Sequence, residues 1–313
     1  MGRATRAAFG QTLVELADEG LDIVAVEADL SGSTTTAKLK DAYPQRFFNA
    51  GIAEANMTDV AAGMAYEGKI AFTGSFAVFG TGRAWEQVRN TVCANDLNVK
   101  LAPTHAGVTV GPDGGSHQAL EDIALMRVLP RMKVLVPADF NAARAAIRLA
   151  AHTPGPFYIR LGRAEIPDVY DEDFTFELGK AYVLREGTDV TLAACGIEVA
   201  QALKAAETLA AEGISAEVID VACIKPLDVE TLVASVTKTG GIVTCEEHSV
   251  LGGMGSAVSE VLSEVAPVPT RRIGAADTFG ISGDPDQLIE YFRLDADSIA
   301  AAARELIADS SAS

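Results

Sequence analysis

The sequence is poor in basic residues, aromatic residues and cysteine. Its 313 residues include 25 Lys and Arg against 43 Asp and Glu, a formal net charge of -18 at pH 7. A field of this sign repels phosphate backbones and anionic membrane surfaces, so neither nucleic acid nor a membrane is expected as a partner. The longest uncharged stretches, such as residues 70–82, fall short of the ~20 apolar residues that cross a bilayer.

The four cysteines are Cys93, Cys195, Cys223 and Cys245. They form no CxxC pair, which argues against a zinc ribbon, a thioredoxin-type site or a disulfide framework and predicts buried thiols. The first twenty residues lack the apolar core of a secretory signal, so the cytoplasm is the expected compartment. The sequence also lacks a GxGxxG that follows a strand and opens a helix, and it lacks GxxxxGK[ST]. Rossmann and P-loop folds therefore lose their main support.

Short apolar runs alternate with amphipathic segments over most of the chain, a pattern typical of an α/β fold with parallel sheets covered on both faces. We expect two domains, each a largely parallel sheet flanked by helices: residues 1–166 and 181–313, joined by an acidic, Pro-containing linker at 167–180. Strands are predicted at residues 23–26, 70–73, 99–102, 134–136, 157–161, 190–194, 216–219, 242–245 and 268–273. Helices are predicted at 4–17, 54–65, 81–93, 120–128, 141–151, 198–211, 229–236 and 255–265.

Two features before residue 80 could carry chemistry. Glu54, in the run GIAEANM, opens a helix directly after an apparent strand at 47–50, the end at which parallel sheets bind ligands. A carboxylate in a first helical turn also has a plain explanation in the helix dipole. Phe76 and Phe79 are spaced so that one helical turn places both rings on a common side, for which core packing is the default explanation.

A glycine-rich loop at 104–118 contains two of the four histidines. His105, Asp113 and His117 lie in the run THAGVTVGPDGGSHQ. A loop of this length is costly to order and is usually functional. Metal ligation ranks low because the residues show no short ligand pattern, and no metal site is predicted on this chain.

The runs GIAEANM, FAVF and THAGVTVGPDGGSHQALEDIALMRVLP resemble the pyrimidine-binding half of transketolases, which use thiamine diphosphate. The N-terminal runs ATR, ending at Arg6, and EADLSGS at 27–33 resemble the same family, and the later stretch resembles its C-terminal domain. The resemblance spans essentially the whole chain. Ala53 is a departure, because full-length transketolases usually have Arg before the glutamate.

The resemblance implies roles for these residues. Glu54 would bind N1′ of the aminopyrimidine and favour its imino tautomer, so that the 4′-nitrogen can remove the thiazolium C2 proton. Phe76 and Phe79 would hold the pyrimidine ring, and Asp29 would lie near the thiazolium side. Glu54 and His117 are the predicted catalytic residues.

The resemblance also implies a sugar site. His105 and His117 would face the sugar, and Asp113 would accept a hydrogen bond from a substrate hydroxyl. Arg160 and Arg163 are close in sequence, and either could reach the ligand; ordinary surface or strand-end cations remain the plain alternative. The acceptor's phosphate would be held by Arg6, Ser33, His105 and Arg163.

The family's motif for the diphosphate and Mg²⁺ begins Gly-Asp-Gly, and the sequence contains no such run. We therefore expect the C-terminal subunit of a split transketolase, with the diphosphate and Mg²⁺ held by a separate N-terminal-type subunit in an α2β2 assembly, moving a two-carbon ketol unit between sugar phosphates. Three alternatives stay open: a subunit like that of deoxyxylulose-phosphate synthase, a β-subunit of a 2-oxoacid dehydrogenase, and a non-catalytic assembly subunit.

Overall fold

A computed structural model describes residues 2–311 and arranges their strands in three sheets. The largest has seven strands in the order β12-β6-β7-β5-β4-β2-β3, the second has five in the order β14-β13-β10-β11-β9, and β1 pairs with β8. In the seven-stranded sheet every pairing is parallel except that of β12 with β6, and in the five-stranded sheet only β9 runs antiparallel. The predicted α/β class is confirmed.

The strands are β1 (Arg3–Ala4), β2 (Ile23–Glu27), β3 (Phe47–Asn49), β4 (Ile70–Gly74), β5 (Val99–Leu101), β6 (Lys133–Leu135), β7 (Phe157–Ile159), β8 (Glu165–Ile166), β9 (Tyr182–Arg185), β10 (Val190–Ala194), β11 (Ala216–Asp220), β12 (Cys223–Lys225), β13 (Ile242–Ser249) and β14 (Thr270–Ala275).

The helices are α1 (Thr5–Asp18), α2 (Ser31–Thr34), α3 (Ala37–Ala42), α4 (Glu54–Tyr66), α5 (Ala77–Gly82), α6 (Trp85–Gln87), α7 (Asp122–Arg127), α8 (Phe140–His152), α9 (Glu198–Ala211), α10 (Val229–Thr239), α11 (Met254–Val265), α12 (Pro285–Tyr291) and α13 (Ala296–Ser311). Short 3₁₀ segments lie at Pro44–Arg46 and Val108–Asp113, and a π-helical segment lies at Val88–Cys93.

The central strands are buried along their whole length, as parallel strands covered on both faces must be. Every residue of β2, β10 and β11 is buried. β2 and β10 coincide with the mostly apolar runs that predict strands, whereas β11 also buries Glu217 and Asp220. The helix predicted at 81–93 is instead divided into α5, α6 and the π-helical segment. The break follows Gly80 and Gly82, which lower helix propensity where the aromatic pair is positioned.

The boundary between the two halves is more interwoven than the predicted linker suggests. Strand β12, from the second half, completes the edge of the seven-stranded sheet by pairing with β6. Between β8 and β9 lies a segment without helix or strand, in which the Tyr170 and Phe174 rings stack at 3.9 Å between centroids. The Tyr170 hydroxyl donates to Asp220 at 2.8 Å. The division at residues 166 and 180 stays a prediction.

All four cysteines are buried and free, as predicted. None of the helices within residues 2–311 combines the length and apolar character needed to span a bilayer.

Candidate active site

The predicted site residues follow the carboxyl ends of neighbouring parallel strands. Strands β5, β4, β2 and β3 are adjacent in the sheet. Asp29 follows β2, Glu54 follows β3, Phe76 follows β4 and His105 follows β5. Arg163 follows β7, the next neighbour of β5. Because these strands run in one direction, the segments after them share one edge of the sheet, the edge at which such sheets bind ligands.

Glu54 is the first residue of α4, and its side chain is only 4% exposed. An Arg83 guanidinium nitrogen (Nη1) lies 3.2 Å from Glu54 Oε1 and 3.4 Å from Oε2. Arg83 is 55% exposed, and its guanidinium lies 4.3 Å from the centre of the Phe79 ring. The buried carboxylate is thus joined through one arginine to the aromatic wall of the site.

Four rings form that wall. Phe76 and Phe79 stack with centroids 6.0 Å apart and an interplanar angle of 18°. The His105 ring stacks on Phe76 at 3.8 Å, and the His117 ring meets Phe79 edge-on at 5.3 Å. Phe76 caps α5 and Phe79 lies one turn later, so the spacing that suggested a shared face is confirmed. The structure brings two glycine-rich segments, 74–82 and 104–118, to one aromatic surface.

His105 is held neutral by its surroundings. Burial and the charges of Arg6, Arg163 and His117 lower its pKa to about 3. Its backbone has φ of 60°, in the left-handed region that costs a residue with a side chain about 1 kcal/mol or more. Thr104 Oγ1 and His105 Nδ1 lie 2.7 Å apart, which fixes the ring. A neutral, oriented imidazole can donate or accept one hydrogen bond without bringing its own charge.

Arg6 and Arg163 form the basic part of the site. Burial and the charge of Arg163 lower the pKa of Arg6. Arg6 Nη1 donates to the Ser33 carbonyl oxygen at 3.0 Å, and Arg163 Nη1 donates to the Val110 carbonyl oxygen. Within residues 2–311, neither guanidinium takes part in an ion pair with a carboxylate. Two neighbouring positive charges without a counter-charge form a site suited to an anion.

Glu27, which sequence reasoning missed, organises the loop that presents Ser33. Its buried carboxylate accepts hydrogen bonds from the Leu30 amide at 2.8 Å, from the Thr36 hydroxyl at 3.0 Å and from the Thr34 hydroxyl. Burial raises the pKa of Glu27. A Cβ at Gly74 would collide with this carboxylate, so β4 must end in glycine here.

Asp29 lies at the edge of the site rather than against the aromatic wall. Its side chain is exposed and its backbone has φ of 64°. Asn49 Nδ2 donates to Asp29 Oδ1 at 2.8 Å, and Gly51 N donates to Asn49 Oδ1 at 2.9 Å. Asp29 is therefore tied to the turn that leads into Glu54.

The loop at 104–118 presents Asp113 to solvent and turns Gln118 inward. Asp113 ends the 3₁₀ segment and is exposed, and His117 is half-buried. Gln118 Nε2 donates to the carbonyl oxygens of Val108 at 3.0 Å and Ile281 at 2.9 Å. Gln118 therefore anchors the loop on the second half of the chain. The sugar contacts expected of His105, His117 and Asp113 stay predictions.

Arg160 belongs to the core and not to the ligand site. Arg160 Nε donates to Asp122 Oδ2 at 2.7 Å, and Nη2 donates to Asp122 Oδ1 and to the Ala119 and Glu247 carbonyl oxygens at 3.2, 3.2 and 2.9 Å. With its Nε and Nη2 donors bonded within the protein and its side chain 7% exposed, it leaves Arg163 as the arginine available for a ligand. No cluster of metal-ligating side chains occurs in the described part of the chain.

Two family models match this chain. Residues 1–168 match the family model "Transketolase, pyrimidine binding domain", and residues 179–299 match "Transketolase, C-terminal domain". A "Putative transketolase C-terminal section" of Methanocaldococcus jannaschii is 47% identical over 95% of this chain and 94% of its own length. The "6-deoxy-6-sulfo-D-fructose transketolase subunit SqwH" of a Clostridium species is 45% identical over 96% of this chain and 94% of its own length.

A solved structure described as "Split gene transketolase, inactive beta4 tetramer" superimposes with a TM-score of 0.90 at 51% identity, covering 98% of this chain and 99% of that one. The fold and the site thus define an α/β protein with a pyrimidine-binding domain. The chain belongs to the transketolase family and carries the family's pyrimidine-binding and C-terminal domains.

Proposed function

We propose that this chain is the C-terminal subunit of a split thiamine diphosphate-dependent transketolase that moves a two-carbon ketol unit from an anionic ketose to an aldose. The observation that carries the proposal is the placement of a buried carboxylate, two stacked phenyl rings and two uncompensated arginines along one edge of a parallel sheet. Each group matches one part of the ligand: ring nitrogen, ring face and terminal anion.

The residues fit the aminopyrimidine half of the cofactor. When bound, thiamine diphosphate supplies the carbanion to which the two-carbon unit is transferred. Glu54 is buried, and within residues 2–311 its carboxylate accepts hydrogen bonds from Arg83 alone, so its oxygens can share a proton with a ring nitrogen. Phe76 and Phe79 offer aromatic surface for a flat heterocycle. Asp29, tied through Asn49 to the turn before Glu54, would face the thiazolium side.

The substrate end of the site suits a sugar with a terminal anion. Arg6, Arg163 and Ser33 would hold the anion, with His105 as an uncharged donor beside them. His117 and Asp113 would contact hydroxyl groups, and His117 would assist proton movement as the second catalytic residue. Phosphate is the expected anion. The name of the relative from Clostridium contains a sulfonated sugar, 6-deoxy-6-sulfo-D-fructose. A sulfonate, which is tetrahedral like a phosphate, is therefore the second candidate for the anion.

We further propose that activity requires an N-terminal-type subunit that holds the diphosphate and Mg²⁺, in an α2β2 assembly in the cytoplasm. The sequence has no Gly-Asp-Gly run for that task. Helix α4 leaves Tyr66 77% exposed, the turn before it leaves Ile52 76% exposed, and Gly63 has open space beside it. Exposed apolar groups of this kind are typical of association surfaces. The solved relative that contains only beta chains is described as inactive, which supports the dependence on a partner.

The test is reconstitution with a chain that contains the Gly-Asp-Gly motif, followed by assays with two substrate pairs. Xylulose 5-phosphate with ribose 5-phosphate tests ketol transfer, and pyruvate with an electron acceptor tests the oxoacid alternative. We expect turnover only with the sugar pair and only in the presence of the partner. Turnover with pyruvate and the electron acceptor, but not with the sugar pair, would refute the proposed reaction.

A Glu54→Gln variant tests the acid itself. The amide is isosteric but cannot exchange a proton with the ring nitrogen, so we expect turnover to fall by at least ~100-fold. Assembly with the partner, measured by gel filtration with light scattering, should be unchanged because the side chain keeps its size. An active Glu54→Gln complex would leave the chain as an assembly subunit without catalytic groups.

A further inference from the structure

Arg83 is joined to two parts of the candidate site at once. Its guanidinium contacts both oxygens of Glu54, at 3.2 and 3.4 Å, and lies 4.3 Å from the centre of the Phe79 ring. The two residues are 29 positions apart in sequence and come from different helices, so only the tertiary fold brings them together. The residue before Glu54 is Ala53, which has no charge. The guanidinium beside the Glu54 carboxylate belongs to Arg83, at the end of α5.

The setting of the pair is asymmetric. Glu54 is 4% exposed whereas Arg83 is 55% exposed. The negative charge of a carboxylate that is almost fully buried is stabilised by a hydrogen-bonded counter-charge. Within residues 2–311, the side chain that supplies this charge to Glu54 is Arg83. The aromatic face of Phe79 restricts where the guanidinium can lie and thereby aims it at the carboxylate.

We propose that Arg83 is a positioning residue for Glu54, which stabilises the carboxylate after it has given its proton to the ring nitrogen of the aminopyrimidine. When the ring binds, Glu54 takes up a proton from water and passes it to N1′. The negative charge then stays on the carboxylate, and the guanidinium 3.2 Å away compensates it. This inference rests on the proposed function, because it assigns Arg83 to the acid of the same site.

Arg83 is expected to affect proton transfer at Glu54 and not the binding of the sugar. Within residues 2–311, Arg83 contacts Glu54 and Phe79 and makes no contact at the anion end of the site, where Arg6 and Arg163 lie. Its loss should therefore slow the step that depends on Glu54 while leaving the sugar contacts intact. A purely structural role would instead weaken cofactor binding or assembly and leave the exchange step of the bound cofactor unchanged.

The experiment measures hydrogen–deuterium exchange at C2 of thiamine diphosphate bound to the reconstituted complex, by quenched-flow and NMR. For Arg83→Gln we expect exchange about tenfold slower, the lower end of the range for a charge-assisted hydrogen bond because Arg83 is half-exposed. Turnover should fall in kcat, with KM for the sugars and the affinity for thiamine diphosphate within about twofold of the parent. Arg83→Lys, which keeps the charge, should recover most of the exchange rate.

Arg304→Gln is the matched control. Arg304 forms an exposed pair with Glu212, at 2.6 and 2.8 Å, on the second half of the chain. This control removes the same kind of charge from an Arg–Glu pair and should leave C2 exchange unchanged.

The outcomes distinguish the two proposals. If Glu54→Gln leaves C2 exchange unaltered, the proposed function fails together with the inference. If Glu54→Gln abolishes exchange but Arg83→Gln exchanges at the parent rate, only the role of Arg83 is overturned. A drop in cofactor affinity for Arg83→Gln without slower exchange also overturns it, because that pattern is structural.

Discussion

Replacing Asp122 by Asn should destabilise the protein severely although the shape of the side chain hardly changes. Asp122 and Arg160 are both buried, and the carboxylate accepts two guanidinium hydrogen bonds, at 2.7 and 3.2 Å. Burial would raise the pKa of Asp122, but the charges of Arg160 and His248 and the hydrogen bonds from Arg160 and Tyr158 together outweigh burial and lower it. The amide in Asp122→Asn removes the counter-charge and turns a second donor toward the guanidinium.

The size of the effect follows from what remains around Arg160. Breaking a buried ion pair by removing one partner costs about 3–5 kcal/mol. Here the guanidinium keeps two carbonyl acceptors, on Ala119 and Glu247, and the Glu247 carboxylate at 4.0 Å. These remaining partners place the expected loss near the lower limit, about 3 kcal/mol of unfolding free energy at neutral pH.

Urea unfolding followed by tryptophan fluorescence and circular dichroism measures this loss. Trp85 is the only tryptophan, and its Nε1 donates to the Leu125 carbonyl oxygen at 3.0 Å, so it reports on the helix that Asp122 begins. Because the pKa of Asp122 is lowered in the folded chain, the difference between parent and variant should be complete above about pH 4 and shrink below it. A loss below about 1 kcal/mol at pH 7 would refute the assignment of this pair to the core.

Two further predictions concern a buried lysine and the anion site. Burial, with the charge of Lys133, lowers the pKa of Lys100 to about 7, and its Nζ donates to the carbonyl oxygens of Thr153 and Gly155 at 2.7 and 2.6 Å. The unfolded lysine stays protonated to about pH 10, so the unfolding free energy of the parent relative to Lys100→Met should rise by up to about 1.4 kcal/mol per pH unit above pH 7. A difference in unfolding free energy that is the same in urea titrations at pH 7, 8 and 9 would contradict this. Arg6→Gln should raise the KM for a phosphorylated aldose about tenfold and leave kcat/KM for the unphosphorylated aldose unchanged, and an equal loss for both aldoses in steady-state assays would remove Arg6 from the anion site.

Several features of the fold could be predicted because they depend on short stretches of chain. The strand β10 and the helix α9 begin and end at the predicted residues, since a continuous apolar run and a 3.6-residue period are local patterns. The sequence also predicted that Glu54 follows a strand directly and that Phe76 and Phe79 share one face. Edge strand β12 was not predicted, because it is defined by its antiparallel pairing with β6, a contact between segments far apart in sequence that no local pattern records.

The pairing of distant side chains was decided by the order of strands in the sheet. The chemical groups of the site and the segments that carry them follow from the sequence: an acid, an aromatic pair, a loop with two histidines and a few arginines. The sequence did not reveal that Arg83 contacts Glu54 or that Glu27 binds the loop that contains Ser33. It also did not reveal that Arg160 pairs with Asp122, whereas Arg163 has no such carboxylate partner among the described residues. The contacts of Arg83 with Glu54 and of Arg160 with Asp122 join elements that are far apart in sequence, and their distance is set only when parallel strands place the ends of those elements side by side. Glu27 and Thr36 are 9 positions apart and meet through the conformation of the segment that follows β2.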